Sequence, residues 1–400
     1  MTDAQKTIVV TGIGAVSPYG PNLSSLQAGM LAGQCALHPA TELYPSFQGT
    51  VAAVSAWPSH AEGHRYSRTD RLAMAAARDA VAGLDGSGSA LRESGIVMAS
   101  TVAGLSEIDA EISRGPAAWY RQGGLSRAAS YPVSRVAASV GEHLGIEGPA
   151  CAVSVACASG AMAIALGANL LLDQAAPMVL AGGSDALCPF TLSGFNSLQA
   201  LDTEPCRPFD QNRKGLNIGE GAAVLVLETL ANAARRGARI LAVLRGWAMT
   251  NDAFHPTAPH KDGAGLASCI QRALEMAECG VEEVGYVNAH GTGTPLNDVA
   301  EANAYQSAFR GRSRPIPVSS TKSYFGHCLG AAGALEAAIT ITAMQNSALF
   351  PTLRLTDPIE SADIDWLRGE LRRQPLPVAM SVSAGFGGSN AALVFGSHRI

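Results

Sequence analysis

Short runs rich in Val, Ile and Leu alternate with Ala-rich stretches along the whole chain, and that alternation narrows the folds open to it. Thr7–Thr11, Gly95–Ser100, Ala150–Ala156 and Met178–Gly183 read as strands, and Arg71–Gly83 and Gly160–Leu172 as helices. Such a succession builds parallel or mixed sheets covered by helices, so an α/β fold is expected. With 47% hydrophobic and only 15% charged residues, the 400-residue chain can bury a large interior. No Pro/Ser-rich linker or low-complexity segment divides it.

A faint internal echo points to two halves. IVVTGIGAVSP, from residue 8, resembles AVLRGWAMTND, from residue 242. Each half also ends in a strand with a Gly-rich turn, VLAGGSD at 179–185 and SAGFGGSN at 383–390. Each has a short reactive side chain ahead of an Ala/Gly-rich helix: Cys157 before ASGAMAIALGANLLL and His327 before CLGAAGALEAAITITAM. The division expected is 1–240 and 241–400, with the two helix starts meeting at the centre.

Several function classes are set aside. A net charge of −5 offers no nucleic-acid surface, and Arg235-Arg236-Gly-Ala-Arg239 reads as a solvated helix end. MTDAQKTIVVTG lacks the charged and apolar regions of a signal peptide. The most apolar window, Ala161–Leu172, falls short of the roughly 20 residues a membrane span needs. The eight cysteines form no C-x-x-C pair, so reduced thiols, a cytoplasmic setting and no metal site are expected. Gly12-Ile-Gly14 follows a strand but lacks the third glycine of a dinucleotide motif, and reads as a tight turn.

The chemistry gathers at a few junctions. Cys157 lies between a strand-like run and a helix-like one, where backbone N–H groups and the helix dipole favour thiolate, although a buried cysteine is more often a small hydrophobe. His290 ends VGYVNAH ahead of a GTGTP turn, and His327 sits in SSTKSYFGHCLGAAGA at another strand-to-helix junction. A lone histidine is usually structural. Two at sheet ends, in a chain with such a cysteine, suit an activated nucleophile with an N–H donor for an enolate oxygen. Lys322 and Glu336 flank His327 and can form a buried ion pair that sets the local field. Phe386, amid Gly385, Gly387 and Gly388, is either part of a plain turn or a ring swung across a pocket by a flexible hinge.

Together, VVTGIGAVSPYG, SVACASGAMAIALGANLLL, GEGAAVLVLE, NDAFHPTAP, VNAHGTGTP, SSTKSYFGHCLGAAGALEAA and SAGFGGSNAALVF resemble the β-ketoacyl-[acyl carrier protein] synthases over essentially the whole chain. The resemblance implies a thiolase-like, five-layered αβαβα fold of two duplicated halves, working as a dimer. It implies that Cys157 carries the acyl chain as a thioester. His290 and His327 would promote decarboxylation of malonyl-carrier protein, with Lys322–Glu336 as supporting pair. The N–H groups of Cys157 and Phe386 would form the acyl oxyanion hole. Thr292 and Thr294 would bind the phosphopantetheine arm, Val102 and Phe195 would line the acyl pocket behind the Phe386 gate, and Asp252, His255 and Thr257 would lie on a loop that moves with it. No cofactor beyond the carrier's own arm is implied. Tyr324-Phe325 and Cys328 depart from the residues usual in the family, and the segment 201–210, shorter than in housekeeping fatty-acid enzymes, looks more like that of type II polyketide or aryl-polyene synthases.

Two other readings compete. A non-catalytic partner, such as a chain-length factor in a heterodimer, would typically lack the nucleophile that Cys157 supplies. A papain-like hydrolase leaves the second histidine and the lysine unexplained. An acidic carrier protein as partner calls for a cationic patch, with Arg65, Arg68, Arg71, Arg127, Arg207 and Lys214 as candidates.

Overall fold

The computed structural model describes residues 2–44, 47–54, 65–84, 88–112, 115, 129 and 131–398. Eleven strands form one hydrogen-bonded sheet. Labelled in chain order, with short pieces left unlabelled, the first half holds β1 (Ile8–Val16), α1 (Arg68–Val81), β2 (Gly95–Ala99), α2 (Ser134–Leu144), β3 (Ala150–Val153), α3 (Ser159–Leu172), β4 (Met178–Asp185), α4 (Pro189–Ser197) and β5 (Gly221–Thr229). The second holds β6 (Ala242–Asn251), α5 (Ala264–Met276), β7 (Val287–Asn288), α6 (Pro295–Ala308), β8 (Ile316–Ser319), α7 (Ala332–Asn346), β9 (Ile364–Trp366), β10 (Val378–Gly385) and β11 (Ser389–Gly396).

The spatial order is β9-β8-β7-β10-β11-β6-β1-β5-β4-β2-β3. Outward from the centre, the first half runs β1, β5, β4, β2, β3 and the second β6, β11, β10, β7, β8, with β9 added at the edge; leaving out β9, strands of equal rank take equal places. Senses match too: β2 is parallel to β3 and β4, and β7 to β8 and β10, while β5 and β11 are antiparallel to both neighbours. The echoing segments are β1 and β6. They meet antiparallel over three residue pairs, Ile8–Leu244, Val9–Val243 and Val10–Ala242.

Alternation along the strands builds the layers. Ala222, Val224 and Val226 of β5 face an outer core with α1 and α2, while Ala223, Leu225 and Leu227 face a central core with α3 and α7. In β11, Ala391, Leu393 and Phe395 face the centre, and Ala392 and Val394 face α5 and α6. Both half-sheets are thus covered on both faces, which gives the expected five-layered αβαβα arrangement. At the centre α3 and α7 pack so closely that a Cβ on Gly160 would lie 2.6 Å from the Ala334 nitrogen, and one on Gly333 would lie 2.6 Å from that of Ala161.

Three expectations are corrected. Gly12 and Gly14 lie inside β1, not in a turn, and a Cβ there would strike the Ala80 and Ala76 carbonyl oxygens of α1 at 2.3 and 2.0 Å. Gly182 and Gly183 likewise lie inside β4, where Cβ atoms would meet the Ala223 and Gly330 carbonyl oxygens at 2.0 and 2.8 Å. These glycines serve close packing between layers rather than chain reversal. Arg236 is also no solvated end, since its guanidinium pairs with the fully buried carboxylate of Glu228.

Candidate active site

Three junctions converge on one buried point. Cys157 lies two residues before α3, after Ala156 with φ +51°. His290 lies two residues past β7. His327 precedes a 3-10 turn, Leu329–Ala331, that leads into α7, so the helix does not open on the histidine itself. The Cys157 Sγ and one nitrogen of each imidazole all lie within 4.8 Å of one another. The two rings meet edge to face, with centroids 5.3 Å apart.

Hydrogen bonds assign the tautomers. Nδ1 of His327 accepts from the Leu329 backbone N–H at 3.1 Å, and Nδ1 of His290 accepts from the Lys322 ammonium at 3.1 Å. Each neutral ring therefore carries its proton on Nε2. Burial, reinforced by the Lys322 charge, holds both imidazoles well below their usual pKa. Nε2 of His327 is buried and has no partner. The spacing of the three side chains would suit a metal ion, but their protonation does not: a ligand Nε2 must be bare, whereas here both are donors.

Lys322 is itself fixed. Its ammonium pairs with Glu336, with both side chains only 3% exposed, and also donates to the His290 carbonyl oxygen at 2.6 Å. Burial pushes the Glu336 carboxyl up to about 7 while the ammonium pulls it back. The expected thiolate at Cys157 is not favoured. Burial raises the thiol to about 11, against the lowering effects of Lys322 and the Phe386 N–H. Desolvation outweighs the helix terminus, and the resting group is a thiol.

Phe386, in the β10–β11 hairpin, lines the same cavity as Cys157 and stacks on Phe195 with centroids 5.7 Å apart. Gly387 and Gly388 have φ of +78° and +76°, which favours glycine. Gly385 is extended, and its need for glycine comes from space: a Cβ would lie 3.1 Å from the Cys157 and Ala158 nitrogens. The loop is tied to residues 251–256 through Asn251 Nδ2 to the Gly387 oxygen (2.9 Å), Gly387 N to the Pro256 oxygen (2.7 Å) and Asp252 N to the Gly388 oxygen (2.8 Å).

A cavity of about 420 Å³ runs from Cys157 outward past His290, His327, Thr292, Thr294, His255 and Thr257. Thr292 and Thr294 join through their hydroxyls at 2.9 Å, and His255 Nδ1 accepts from the Thr257 and Ala258 N–H groups. Val102 does not line this cavity. It lies in an adjoining apolar cluster with Leu187, Leu192, Leu216 and Ile218, against which Phe195 packs, and Leu216 and Phe195 reach the cavity wall.

Sequence reasoning overlooked the carboxylates behind the site. Glu301 accepts from the His290 and Gly291 N–H groups (2.9 and 2.6 Å) and from Tyr305, and burial beside Asp298 raises it to about 7. Asp298 accepts from the Gly293 and Phe209 N–H groups. Asp185 accepts from the Thr101, Val102 and Gly330 N–H groups, and so anchors the 3-10 turn whose Leu329 N–H holds the His327 ring. The D-x-x-E spacing of Asp298 and Glu301 just inside α6 was the available signal, because it puts both on one helix face.

Residues 5–233 match the family model described as "Beta-ketoacyl synthase, N-terminal domain", and residues 241–356 match "Beta-ketoacyl synthase, C-terminal domain". The chain is 34% identical to a 3-oxoacyl-[acyl-carrier-protein] synthase 2 of Synechocystis sp., covering 99% of each. It is also 34% identical to the tetracenomycin polyketide synthase ketoacyl synthase alpha subunit of Streptomyces glaucescens, covering 98% of this chain and 97% of that one. Among solved structures, the ishigamide ketosynthase/chain length factor superposes with a TM-score of 0.89 at 29% identity, covering 98% and 99%. A type II polyketide ketosynthase in complex with its acyl-carrier protein gives 0.87 at 28%, with the same coverage.

Proposed function

Since the chain belongs to the β-ketoacyl synthase family, we propose that its Cys157–His290–His327 group performs the decarboxylative Claisen condensation by which the family elongates carrier-bound acyl chains. The observation that carries this reading is the pair of neutral imidazoles, each with Nδ1 occupied and Nε2–H left for the space beside the thiol. Two such donors in a dry site stabilise an enolate oxygen, the species that loss of CO₂ from a malonyl thioester creates.

In the first half-reaction Cys157 attacks the acyl thioester. The N–H groups of Cys157 and Phe386 hold the tetrahedral oxygen, and the carrier thiol leaves with the proton that Cys157 gives up. Malonyl-carrier protein then threads its arm past Thr292 and Thr294. Its carboxylate departs as CO₂, and the electron pair passes into the enolate, whose oxygen His290 and His327 hold. The enolate carbon attacks the Cys157 thioester, and collapse expels the thiolate, which takes up a proton. Acyl-carrier, malonyl-carrier and a proton become β-ketoacyl-carrier, CO₂ and free carrier thiol. The two substrates supply every heavy atom that moves, and the one net proton, which restores the Cys157 thiol, comes from solvent.

Acyl carrier protein is the partner this chemistry requires, and the chain pairs with a second synthase-type subunit, its own copy or a chain-length factor. The half boundary near 240/241, a role in type II polyketide or aryl-polyene elongation, and a cytoplasmic setting belong to the same reading. Among the described residues no helix is long and apolar enough to cross a membrane.

Incubation with acyl- and malonyl-carrier protein is expected to give an acyl adduct on Cys157 by mass spectrometry, then CO₂ and a β-ketoacyl product. No adduct on Cys157 would move the assignment to a non-catalytic partner subunit.

A further inference from the structure

Of the cations singled out in the sequence, Arg65 and Arg68 are paired with Glu142 and Glu220, and Arg127 lies outside the described residues. The charge that joins the two halves beside the site is an anion. Asp185 ends β4 fully buried, and its carboxylate accepts from neutral donors on two segments. Four belong to the stretch after β2: the Ser100 hydroxyl (2.5 Å), the Thr101 N–H (3.0 Å) and hydroxyl (2.6 Å), and the Val102 N–H (2.8 Å). The fifth, the Gly330 N–H (2.7 Å), comes from the second half of the chain. Burial pushes the carboxyl up, and these donors pull it back part of the way.

Both segments held in this way are strained. Ala103 has φ +47° and Leu329 φ +51°, left-handed values that a non-glycine residue keeps only where its surroundings impose them. The Ala103 N–H donates to Ser100 Oγ at 2.9 Å, and the Leu329 N–H donates to His327 Nδ1 at 3.1 Å. The side chains of Val102 and Leu329 belong to the same apolar cluster beside the cavity. Leu329 therefore ties that cluster to His327.

The likeness of the two halves shows what such a place serves otherwise. Asp185 pairs with Gly221, the first residue of β5, as Gly385 pairs with Ser389, the first of β11. At Gly385 the space beside the Cys157 N–H stays open, since an added Cβ would lie 3.1 Å from that nitrogen. One half thus leaves its N–H for the oxygen of a substrate. The other spends the Gly330 N–H on the chain's own carboxylate.

Resting on the function above, we propose that Asp185 is a positioning residue for decarboxylation: it locks the Leu329–Ala331 turn, and through it fixes His327 with Nε2–H free for the enolate oxygen. Without the carboxylate the Gly330 N–H is orphaned, Leu329 relaxes, and its N–H leaves Nδ1. The ring then loses the bond that assigns its tautomer. Acyl transfer depends on the donors at Cys157 and Phe386, which Asp185 does not hold.

The test compares Asp185→Asn, whose amide NH₂ would face N–H donors, with Thr101→Val, which deletes one hydroxyl donor and keeps the charge. Asp185→Asn is expected to lower kcat for CO₂ release from malonyl-carrier protein roughly 10- to 100-fold, the scale of a small misplacement. KM should stay unchanged, because the lost contact acts only in the transition state. Acylation of Cys157, read by intact mass, should stay near wild type. Thr101→Val should change CO₂ release in the same direction and less. Nitrogen-15 NMR of histidine-labelled enzyme, with His327→Gln to assign the signals, should show one His327 tautomer in the wild type and a mixture in Asp185→Asn.

An unchanged His327 spectrum in folded Asp185→Asn would overturn the proposal. Equal losses of acylation and CO₂ release would overturn it too, making Asp185 a scaffold residue for the whole site. If Asp185→Asn does not fold, Thr101→Val decides, and unchanged CO₂ release with an unchanged spectrum there overturns it. Wild-type protein that neither takes up an acyl group nor releases CO₂ would refute the function instead, while the His327 spectrum still reads the role of Asp185.

Discussion

The Leu329 backbone N–H donates to Nδ1 of His327 over 3.1 Å, and so places that ring's proton on Nε2, a buried atom with no partner. A donor kept dry and unpaired costs stability unless something it can bind arrives. In the mechanism proposed above, the enolate oxygen is that something.

His327→Ala should therefore lower CO₂ release from malonyl-carrier protein by about 10²–10³, the usual cost of one oxyanion donor. Acylation of Cys157 should survive, because its own oxyanion donors are backbone N–H groups. Carbon dioxide release and intact-mass acylation, measured on one preparation, separate the two. Parallel loss of both would place His327 in acyl transfer.

Cys157 is held as a thiol, with burial pushing it up to about 11. Alkylation needs the thiolate, so its rate should climb about tenfold per pH unit and keep climbing past pH 9. A plateau by pH 8 in the iodoacetamide rate at Cys157 would show a thiolate already present at rest.

Lys322→Met leaves Glu336 without its counter-charge and His290 without its Nδ1 donor. Breaking a buried pair on one side is expected to cost about 3 kcal/mol or more in denaturant unfolding. Decarboxylation should fall as well, because nothing then fixes the His290 tautomer. Adding Glu336→Gln should restore much of the stability and little of the activity.

The two glycines after Phe386 should respond differently. Gly387→Ala meets no atom within 4 Å and suffers only from its φ, a cost of about 1–2 kcal/mol. Gly388→Ala adds a Cβ 2.9 Å from that of Asp252. Gly388→Ala should therefore slow acylation more than Gly387→Ala, and most for long acyl chains that must displace the ring. Phe386→Ala, with the stack on Phe195 removed, should lose chain-length selectivity while still releasing CO₂. Equal rates for short and long acyl-carrier proteins across all three variants would reduce the loop to a turn.

The residues that converge at the site were legible because each stands just ahead of a run of small residues, Cys157 and His290 just after strands and His327 after a helical turn, Lys322–Phe325, a pattern carried within a dozen positions. What escaped was set by distant parts of the chain. Gly12 and Gly14 looked like a turn because the helix that crowds them begins more than fifty residues later. Cys157 looked activated because the helix start is local, whereas the burial that decides its protonation comes from every layer around it. Glu301 and Asp185 passed unnoticed because the N–H groups they hold lie mainly in other segments.

The three-pair seam between β1 and β6, with the glycine contact of α3 on α7, bears on how the chain could be divided. Each half supplies one of the two central helices, and each central helix buries itself against the other half as well as its own. Cut between residues 240 and 241, neither fragment can cover its inner face alone. Two separately expressed fragments should stay unfolded or aggregate apart, yet assemble into a working enzyme when made together, which makes the chain a natural candidate for split-protein complementation.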